Sequence, residues 1–108
     1  MERMDREKVE AVLDEMADGI NLDECYNSED LMPIYLTLRD YPEAVAKALF
    51  PDRQSFETEP VIETLRYYAF TKMNAIDFRL RGEIMHAQMR ESFCDDLYEG
   101  LPDWARTW

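Results

Sequence analysis

Apolar side chains recur every three or four residues along most of the chain, which is the spacing of one face of an α-helix. The first run predicts a helix over about residues 6–18, with Asp5 as its N-cap and Gly19 as its end. Its apolar face consists of Val9, Val12, Leu13, Met16 and Ile20. The chain is therefore expected to begin with an amphipathic helix.

Two short helices are predicted next. The first follows Ser28, and it tolerates Pro33 only if that residue lies within the first turn. Its apolar side consists of Leu31, Tyr35 and Leu38. The second begins with Pro42 at its first helical position and is ended by Pro51. Its apolar side consists of Val45, Ala48 and Leu49.

The longest periodic stretch begins at Pro60, after a polar linker over 51–59, and runs to Gly100. An unbroken helix over 60–99 would be roughly 58 Å long at 1.5 Å per residue. That exceeds the diameter of a compact domain of this size, whose radius of gyration should be about 13 Å. The helix therefore either breaks near Gly82 or projects and buries its extra face on a second copy.

Together these elements predict an all-α fold in a single domain over residues 1–108, with three short N-terminal helices packed on one long C-terminal helix. The chain has only three glycines and five prolines, too few for the frequent turns of an all-β fold. No internal repeat is visible. The predicted parts are an acidic helical head over 1–50, the long helix over 60–99, and a tail over 100–108 that contains Trp104 and Trp108.

Three aromatic residues crowd one turn of the long helix. Consecutive helical residues point about 100° apart, so Tyr67, Tyr68 and Phe70 cannot all lie on one stripe. At least one ring must face loops, other helices or a partner. This surplus, together with the helix length, predicts a homodimer, and the alternative is that the rings fill the core. The predicted dimer interface consists of Tyr67, Tyr68, Phe70, Leu80 and Ile84.

The charge pattern is the most informative feature for function. Between Val9 and Leu38 the chain has eight acidic residues and no Lys or Arg. These acids are Glu10, Asp14, Glu15, Asp18, Asp23, Glu24, Glu29 and Asp30. The net charge of −12 disfavours direct binding to nucleic acid or to anionic membranes. A surface that carries charge of only one sign instead favours partners whose charge is of the opposite sign.

This acidic block has two interpretations. If helical, residues 10–30 span roughly 31 Å with one charge per about 4 Å, close to the one phosphate per about 3.4 Å of a DNA strand. Such a face can occupy the groove of a nucleic-acid-binding protein; the alternative is that the acids only maintain solubility. A locally basic stretch over 66–90 can also pair with the block and reduce its free surface. The predicted partner-binding residues are Glu10, Asp14, Glu15, Asp18, Asp23 and Glu24.

Candidate chemistry is sparse. Glu83 and His86 have the Glu-x-x-His spacing of di-iron bundles, but those sites need two such motifs and the chain has one histidine. Cys94 lies eight residues from His86, about 12 Å along a helix, too far for proton transfer. It is expected to fill space as a small apolar side chain. Cys25 can approach His86 only through tertiary folding. We therefore expect no enzyme, no metal and no cofactor.

The sequence also bears on the compartment. The N-terminus lacks the apolar run of a signal peptide, and no stretch approaches the ~20 apolar residues of a membrane span. Two distant cysteines do not indicate a disulfide framework, so reduced thiols are the simpler interpretation. A cytoplasmic protein without a membrane partner is expected.

The C-terminal part resembles the ending of small bacteriophage proteins. The resemblance covers about residues 62–108 and implies a phage or mobile-element origin. It rests on Arg79-Leu80-Arg81-Gly82, on residues 91–98 and on Leu101-Pro102-Asp103-Trp104-Ala105-Arg106. In composition the chain also resembles phage DNA-mimic antirestriction proteins, which are short, acidic and helical.

Two function classes follow from these observations. The first is a phage-type inhibitor, located in the host cytoplasm, whose acidic N-terminal half binds a host nucleic-acid-binding protein, as a DNA mimic or as an ordinary acidic surface. The second is a structural or regulatory helical dimerisation module in which the acids serve solubility.

Overall fold

A computed structural model describes residues 27–106, and all regular structure in this range is helical. The all-α class is therefore confirmed for this part of the chain. The helix expected over residues 6–18 lies outside the described residues. The elements are α1 (Ser28–Asp40), α2 (Pro42–Leu49), α3 (Ser55–Leu80), α4 (Ile84–Glu99) and a short 3-10 turn (Asp103–Ala105).

Helix α3 ends because Gly82 adopts a backbone conformation that other residues avoid. Its φ is +79°, in the left-handed region that favours glycine. The Gly82 N–H donates to the Arg79 carbonyl at 3.0 Å, and the Glu83 N–H donates to the Phe78 carbonyl at 2.8 Å. These two bonds form the Schellman motif that closes a helix C-terminus. The chain thus breaks near Gly82, one of the two expected outcomes, and residues 60–99 are not one continuous helix.

The break folds the chain back on itself. Helix α3 alone spans about 39 Å at 1.5 Å per residue, close to the largest dimension of the structure, 41 Å. Helix α4 returns along α3, where Ala87 and Cys94 are buried and the Cys94 thiol lies 3.9 Å from the Tyr68 carbonyl oxygen. A second copy is therefore not needed to shelter a projecting rod, and the length argument for a dimer does not hold.

Two details of the helix starts differ from expectation. Pro33 is the sixth residue of α1 rather than part of its first turn. Because proline has no backbone N–H, the Glu29 carbonyl lacks its usual hydrogen bond from residue 33. Glu29 and Pro33 are both exposed, so water can bind that carbonyl instead. Helix α3 begins at Ser55 instead of Pro60, so residues 55–59, which were expected to belong to the polar linker, are helical. The Glu57 carboxylate accepts from the Gln54 N–H at 2.9 Å and supplies an anion in the first turn.

Residues 28–41, which include α1, and residues 55–68 of α3 share a sequence motif, so the expectation of no internal repeat was wrong. The Thr37 hydroxyl donates to the Pro33 carbonyl at 2.8 Å, and the Thr64 hydroxyl donates to the Pro60 carbonyl at 3.0 Å. Each residue of the motif in the first segment recurs 27 positions later in the second. The shared residues are Ser28, Pro33, Thr37, Leu38, Arg39 and Tyr41, which recur as Ser55, Pro60, Thr64, Leu65, Arg66 and Tyr68.

The two motif-bearing helices pack antiparallel and form the core. The Arg66 side chain donates from Nε to the Leu38 carbonyl at 2.9 Å, and the rings of Tyr35 and Phe70 lie 5.6 Å apart. Residues earlier in α1 therefore face residues later in α3. The Leu38 carbonyl is among the last four of α1, which have no partner within the helix, so Arg66 caps α1. The principal side chains between these helices are Leu31, Ile34, Leu38, Val61, Leu65 and Met73.

The C-terminal tail belongs to the same core. Leu101 and Ala105 are buried, and the Trp104 ring meets the Phe50 ring edge-on with 5.0 Å between centroids. The Arg53 guanidinium carbon lies 4.5 Å from the centre of the Trp104 ring. Trp104 thus ties the tail to the turn between α2 and α3. Trp108 lies outside the described residues.

Replacing Gly82 by Ala is expected to lower the free energy of unfolding by about 1–2 kcal/mol, the cost of a left-handed conformation for an L-residue. An added Cβ would meet no atom within 4 Å, so the cost is conformational rather than steric. Gly100→Ala is the matched control, since Gly100 has a right-handed φ of −76° and its added Cβ would lie 3.4 Å from the nearest carbonyl oxygen. Urea denaturation followed by circular dichroism measures both; equal effects would contradict a required left-handed turn.

Candidate interaction surfaces

The predicted partner-binding acids lie outside the described residues, as the whole set from Glu10 to Glu24 does. Two acids of the same block are described. Asp30 accepts from the Asn27 N–H at 3.2 Å, while the Asn27 side chain accepts from the Asp30 N–H at 3.0 Å. These reciprocal bonds are a capping box at the start of α1, and Glu29 lies beside it in the first turn.

Most arginines of residues 27–106 are held by carboxylates of the same range. For example, Arg66 lies 2.6 Å from Glu63, and Arg39 lies 3.0 Å from Asp40. The hydrogen bond from Arg39 to Asp40 raises the pKa of Arg39 above its ordinary value. The full set of pairs is Arg39–Asp40, Arg53–Glu57, Arg66–Glu63, Arg79–Glu91, Arg81–Glu83 and Arg106–Glu99. Arg106 also contacts Asp103.

One ion pair joins the two arms of the α3–α4 hairpin. Arg79 donates from Nε to Glu91 Oε1 at 2.7 Å and from a terminal nitrogen to Oε2 at 2.9 Å. Such a two-pronged contact is stronger and more directional than a single one. By contrast, Arg90 and Lys47 have no ion pair with any residue between 27 and 106. Within the basic stretch expected over 66–90, Arg66, Arg79 and Arg81 are thus paired with carboxylates of the hairpin.

The predicted dimer residues do not form one surface. Tyr68 is only 3% exposed and lies in the core, so its assignment to a dimer interface was wrong. Tyr67 and Phe70 are exposed, as expected for rings that cannot share one stripe, and Phe70 also contacts Tyr35. Leu80 and Ile84 are exposed beside the Gly82 turn. Leu80 lies ten residues, about 15 Å, along α3 from Phe70.

A more exposed apolar surface lies on α4 and was missed. Met85, Met89 and Phe93, here called the methionine stripe, have exposed fractions of 77%, 67% and 46%. They are spaced four residues apart, so they follow one side of the helix. That spacing was the available signal in the sequence.

A shallow groove runs beside the stripe, between the end of α3 and α4. Its walls combine aromatic, thioether and cationic side chains. The His86 ring lies 5.2 Å from the Phe78 ring, and the Arg81 guanidinium carbon lies 5.0 Å from the centre of that same ring. The lining residues are Phe78, Arg81, Glu83, His86, Met89, Arg90 and Phe93.

The residues considered for chemistry are arranged as follows. His86 Nδ1 lies 3.8 Å from a Glu83 carboxylate oxygen, and the His86 side chain is 60% exposed. Glu83 precedes α4 as its N-cap, so the pair is not two positions within one helix. Cys94 is 2% exposed, and Cys25 lies outside the described residues. Within residues 27–106, no group of three or more His, Cys, Asp or Glu is placed to hold a metal ion.

The helices of residues 27–106 include none with the length and apolar content needed to cross a bilayer. No protein-family model matches the chain, and neither does any curated protein or solved structure.

Replacing Arg79 by Gln is expected to lower the free energy of unfolding by about 0.5–1 kcal/mol, because a two-pronged but half-exposed ion pair is lost. Lys47→Gln makes the same change in charge at an exposed site with no ion pair in the described range, and should leave stability nearly unchanged. Urea denaturation at low and high salt measures both. A cost for Arg79→Gln that high salt does not reduce would contradict an electrostatic contact.

Proposed function

We propose that the protein acts by binding rather than by catalysis, and that its acidic N-terminal half binds a basic, nucleic-acid-binding protein of the host cell. It is a phage-type inhibitor in this proposal, and it occupies the surface that would otherwise hold nucleic acid. The proposal is supported by the eight acids between Val9 and Leu38, which no Lys or Arg interrupts, and by the resemblance of the C-terminal part to phage proteins.

The observation that carries the proposal is the local pairing of the arginines. An acidic surface attracts a partner only if cations of the same protein do not cancel its field. The cations expected to be able to neutralise the acidic block are Arg66, Lys72, Arg79, Arg81 and Arg90. Three of them, Arg66, Arg79 and Arg81, lie against glutamates of the helical hairpin at 2.6–3.7 Å. These contacts reduce the number of cations that can cancel the charge of the block, which supports its binding of a basic partner.

The charge spacing supports mimicry of a nucleic-acid backbone. Within the helix expected over residues 6–18, the four acids from Glu10 to Asp18 cover about 12 Å of helical rise, or one carboxylate per about 4 Å, which approaches the phosphate spacing of a DNA strand, about 3.4 Å. A DNA-binding groove presents Lys and Arg at matching intervals. The mimic resembles only the phosphate backbone and has no bases, so it should compete with nucleic acid of any base sequence.

The experiment is affinity capture from host lysate, followed by competition with duplex DNA. Replacing Glu10, Asp14, Glu15 and Asp18 by the corresponding amides keeps side-chain shape and changes the net charge from −12 to −8. Capture of the basic partner should then fall by at least tenfold, since four attractive contacts are removed. Its dependence on salt should become shallower.

The matched control neutralises four exposed acids elsewhere. Glu43, Asp52, Glu59 and Asp95 are exposed, and their conversion to amides gives the same net charge of −8. This control should retain the partner. If both variants lose it equally, only overall charge matters; if neither loses it, the acidic block serves solubility and the proposal fails. Circular dichroism of both variants confirms that the fold is intact.

A further inference from the structure

Two residues of the methionine stripe lie next to the one histidine of the chain, near the start of α4. Met85 and Met89 are 77% and 67% exposed, and the side chain of His86 is 60% exposed. Thioethers are soft ligands that select Cu(I), and imidazole also binds copper. The expectation of no metal rested on carboxylate, imidazole and thiol ligands and did not consider thioethers.

The three side chains are neighbours on the helix surface. Met85 and Met89 are four residues apart, and His86 and Met89 are three apart, which are the spacings at which helical side chains meet. Around the helix axis Met89 lies between the other two, about 40° from Met85 and about 60° from His86. Methionine side chains are long and flexible, so both sulfur atoms can reach one ion together with the imidazole.

The contact of His86 with Glu83 leaves one ring nitrogen for a metal. His86 Nδ1 lies 3.8 Å from a Glu83 carboxylate oxygen, so Nε2 is the nitrogen that can bind an ion. In metal sites a carboxylate beside the other ring nitrogen commonly fixes the tautomer and orientation of the histidine. Glu83 stands in that relation to His86.

The groove beside α4 places aromatic carbon next to these ligands. Its lining includes Phe78, Phe93, His86 and Met89. An ion held there is partly removed from water, and the free-energy cost of that removal rises with the square of the ionic charge. A monovalent ion therefore enters at a lower cost than a divalent one.

The charges of the groove favour the same choice. Arg81 and Arg90 line it, and Glu83, which lies 3.7 Å from Arg81, offsets one of these two positive charges. The remaining positive charge repels a divalent ion about twice as strongly as a monovalent one. Cu(I) combines the softness that thioethers select with the lower charge.

We propose that Met85, His86 and Met89 form a binding site for Cu(I), with both sulfur atoms and His86 Nε2 as ligands. Ag(I), which is also soft and carries the same charge, should bind in the same way. Zn(II) should not, because its protein ligands are thiolates, imidazoles and carboxylates rather than thioethers. The site does not involve the acidic block, so it goes beyond the proposed function.

The first test is an anaerobic titration with Cu(I), in competition with a chromophoric Cu(I) chelator. All proteins compared carry Cys25→Ser, because a thiolate would compete for the ion. Replacing both Met85 and Met89 by Leu keeps the apolar volume and removes both sulfur atoms, so the dissociation constant should rise at least tenfold. Met32→Leu is the matched control, since Met32 is also exposed, at 41%, but lies on α1; it should leave the affinity unchanged.

The second test identifies the ligands directly. Ag(I) is added to protein with isotope-labelled methionine methyl groups, and the methyl signals are followed by NMR. The signals of Met85 and Met89 should shift together and saturate at the same ratio of Ag(I) to protein. Those of Met32 and Met73 should not move. His86→Gln should weaken Ag(I) binding at least tenfold, because the imidazole ligand is lost.

Equal Cu(I) affinity before and after the double leucine replacement would overturn the proposal. So would a shift of one methyl signal of the pair without the other, since both sulfur atoms must bind the same ion. Unchanged affinity in His86→Gln would remove the imidazole from the site, and displacement of Ag(I) by Zn(II) would contradict selection by soft ligands. Circular dichroism of each variant confirms that the helices are intact.

Discussion

Chain reversal at Gly82 is the constraint on which the arrangement of the C-terminal half depends. A residue with φ of +79° at this point closes α3 and allows α4 to return along it. The reversal buries Ala87 and Cys94 against α3 and turns Met85 and Met89 outward. The same backbone feature therefore determines which side of α4 is core and which side is surface. A straight helix would not have formed the groove between α3 and α4.

Arg66 has a comparable role between the two halves of the chain. Its Nε caps the C-terminal end of α1 through the Leu38 carbonyl, while a terminal nitrogen binds Glu63 of its own helix. One guanidinium thus fixes the position of α1 on α3 and is neutralised at the same time. Because Arg66 is bound to the Leu38 carbonyl and to Glu63, its positive charge is less able to screen the acidic block. The packing of α1 on α3 therefore influences the charge of the surface.

The helical class and the restart at Pro42 could be predicted from local signals, namely apolar spacing and the backbone preference of proline, whereas the break near Gly82 was only one of two outcomes that the sequence left open. The start of α3 at Ser55 could not be predicted from apolar spacing, because its first turn is polar and depends on the contact between Glu57 and Gln54. Burial of Tyr68 beside the exposed Tyr67 depends on where α4 packs, which is a tertiary property. The methionine stripe was visible in the sequence, but its exposure depends on the same packing.

The shared motif of α1 and α3 offers a comparison within one molecule. The hydroxyls of Thr37 and Thr64 make the same hydrogen bond to a proline carbonyl. Arg39 and Arg66, which occupy equivalent positions in the motif, make different contacts. Arg39 pairs with the adjacent Asp40, whereas Arg66 reaches across to α1. Local sequence therefore sets how each helix begins, and the neighbouring helix decides what its arginine contacts.

The exposed thioethers of Met85 and Met89 give this protein a chemical sensitivity that aliphatic side chains would not. Oxidants reach both sulfur atoms from solvent, since the residues are 77% and 67% exposed. Conversion to the sulfoxide adds a polar oxygen and a new stereocentre to each side chain, and methionine sulfoxide reductases reverse the change. Oxidation would therefore make the methionine stripe polar, and reduction would restore its apolar character, without disturbing the core, since neither side chain is buried.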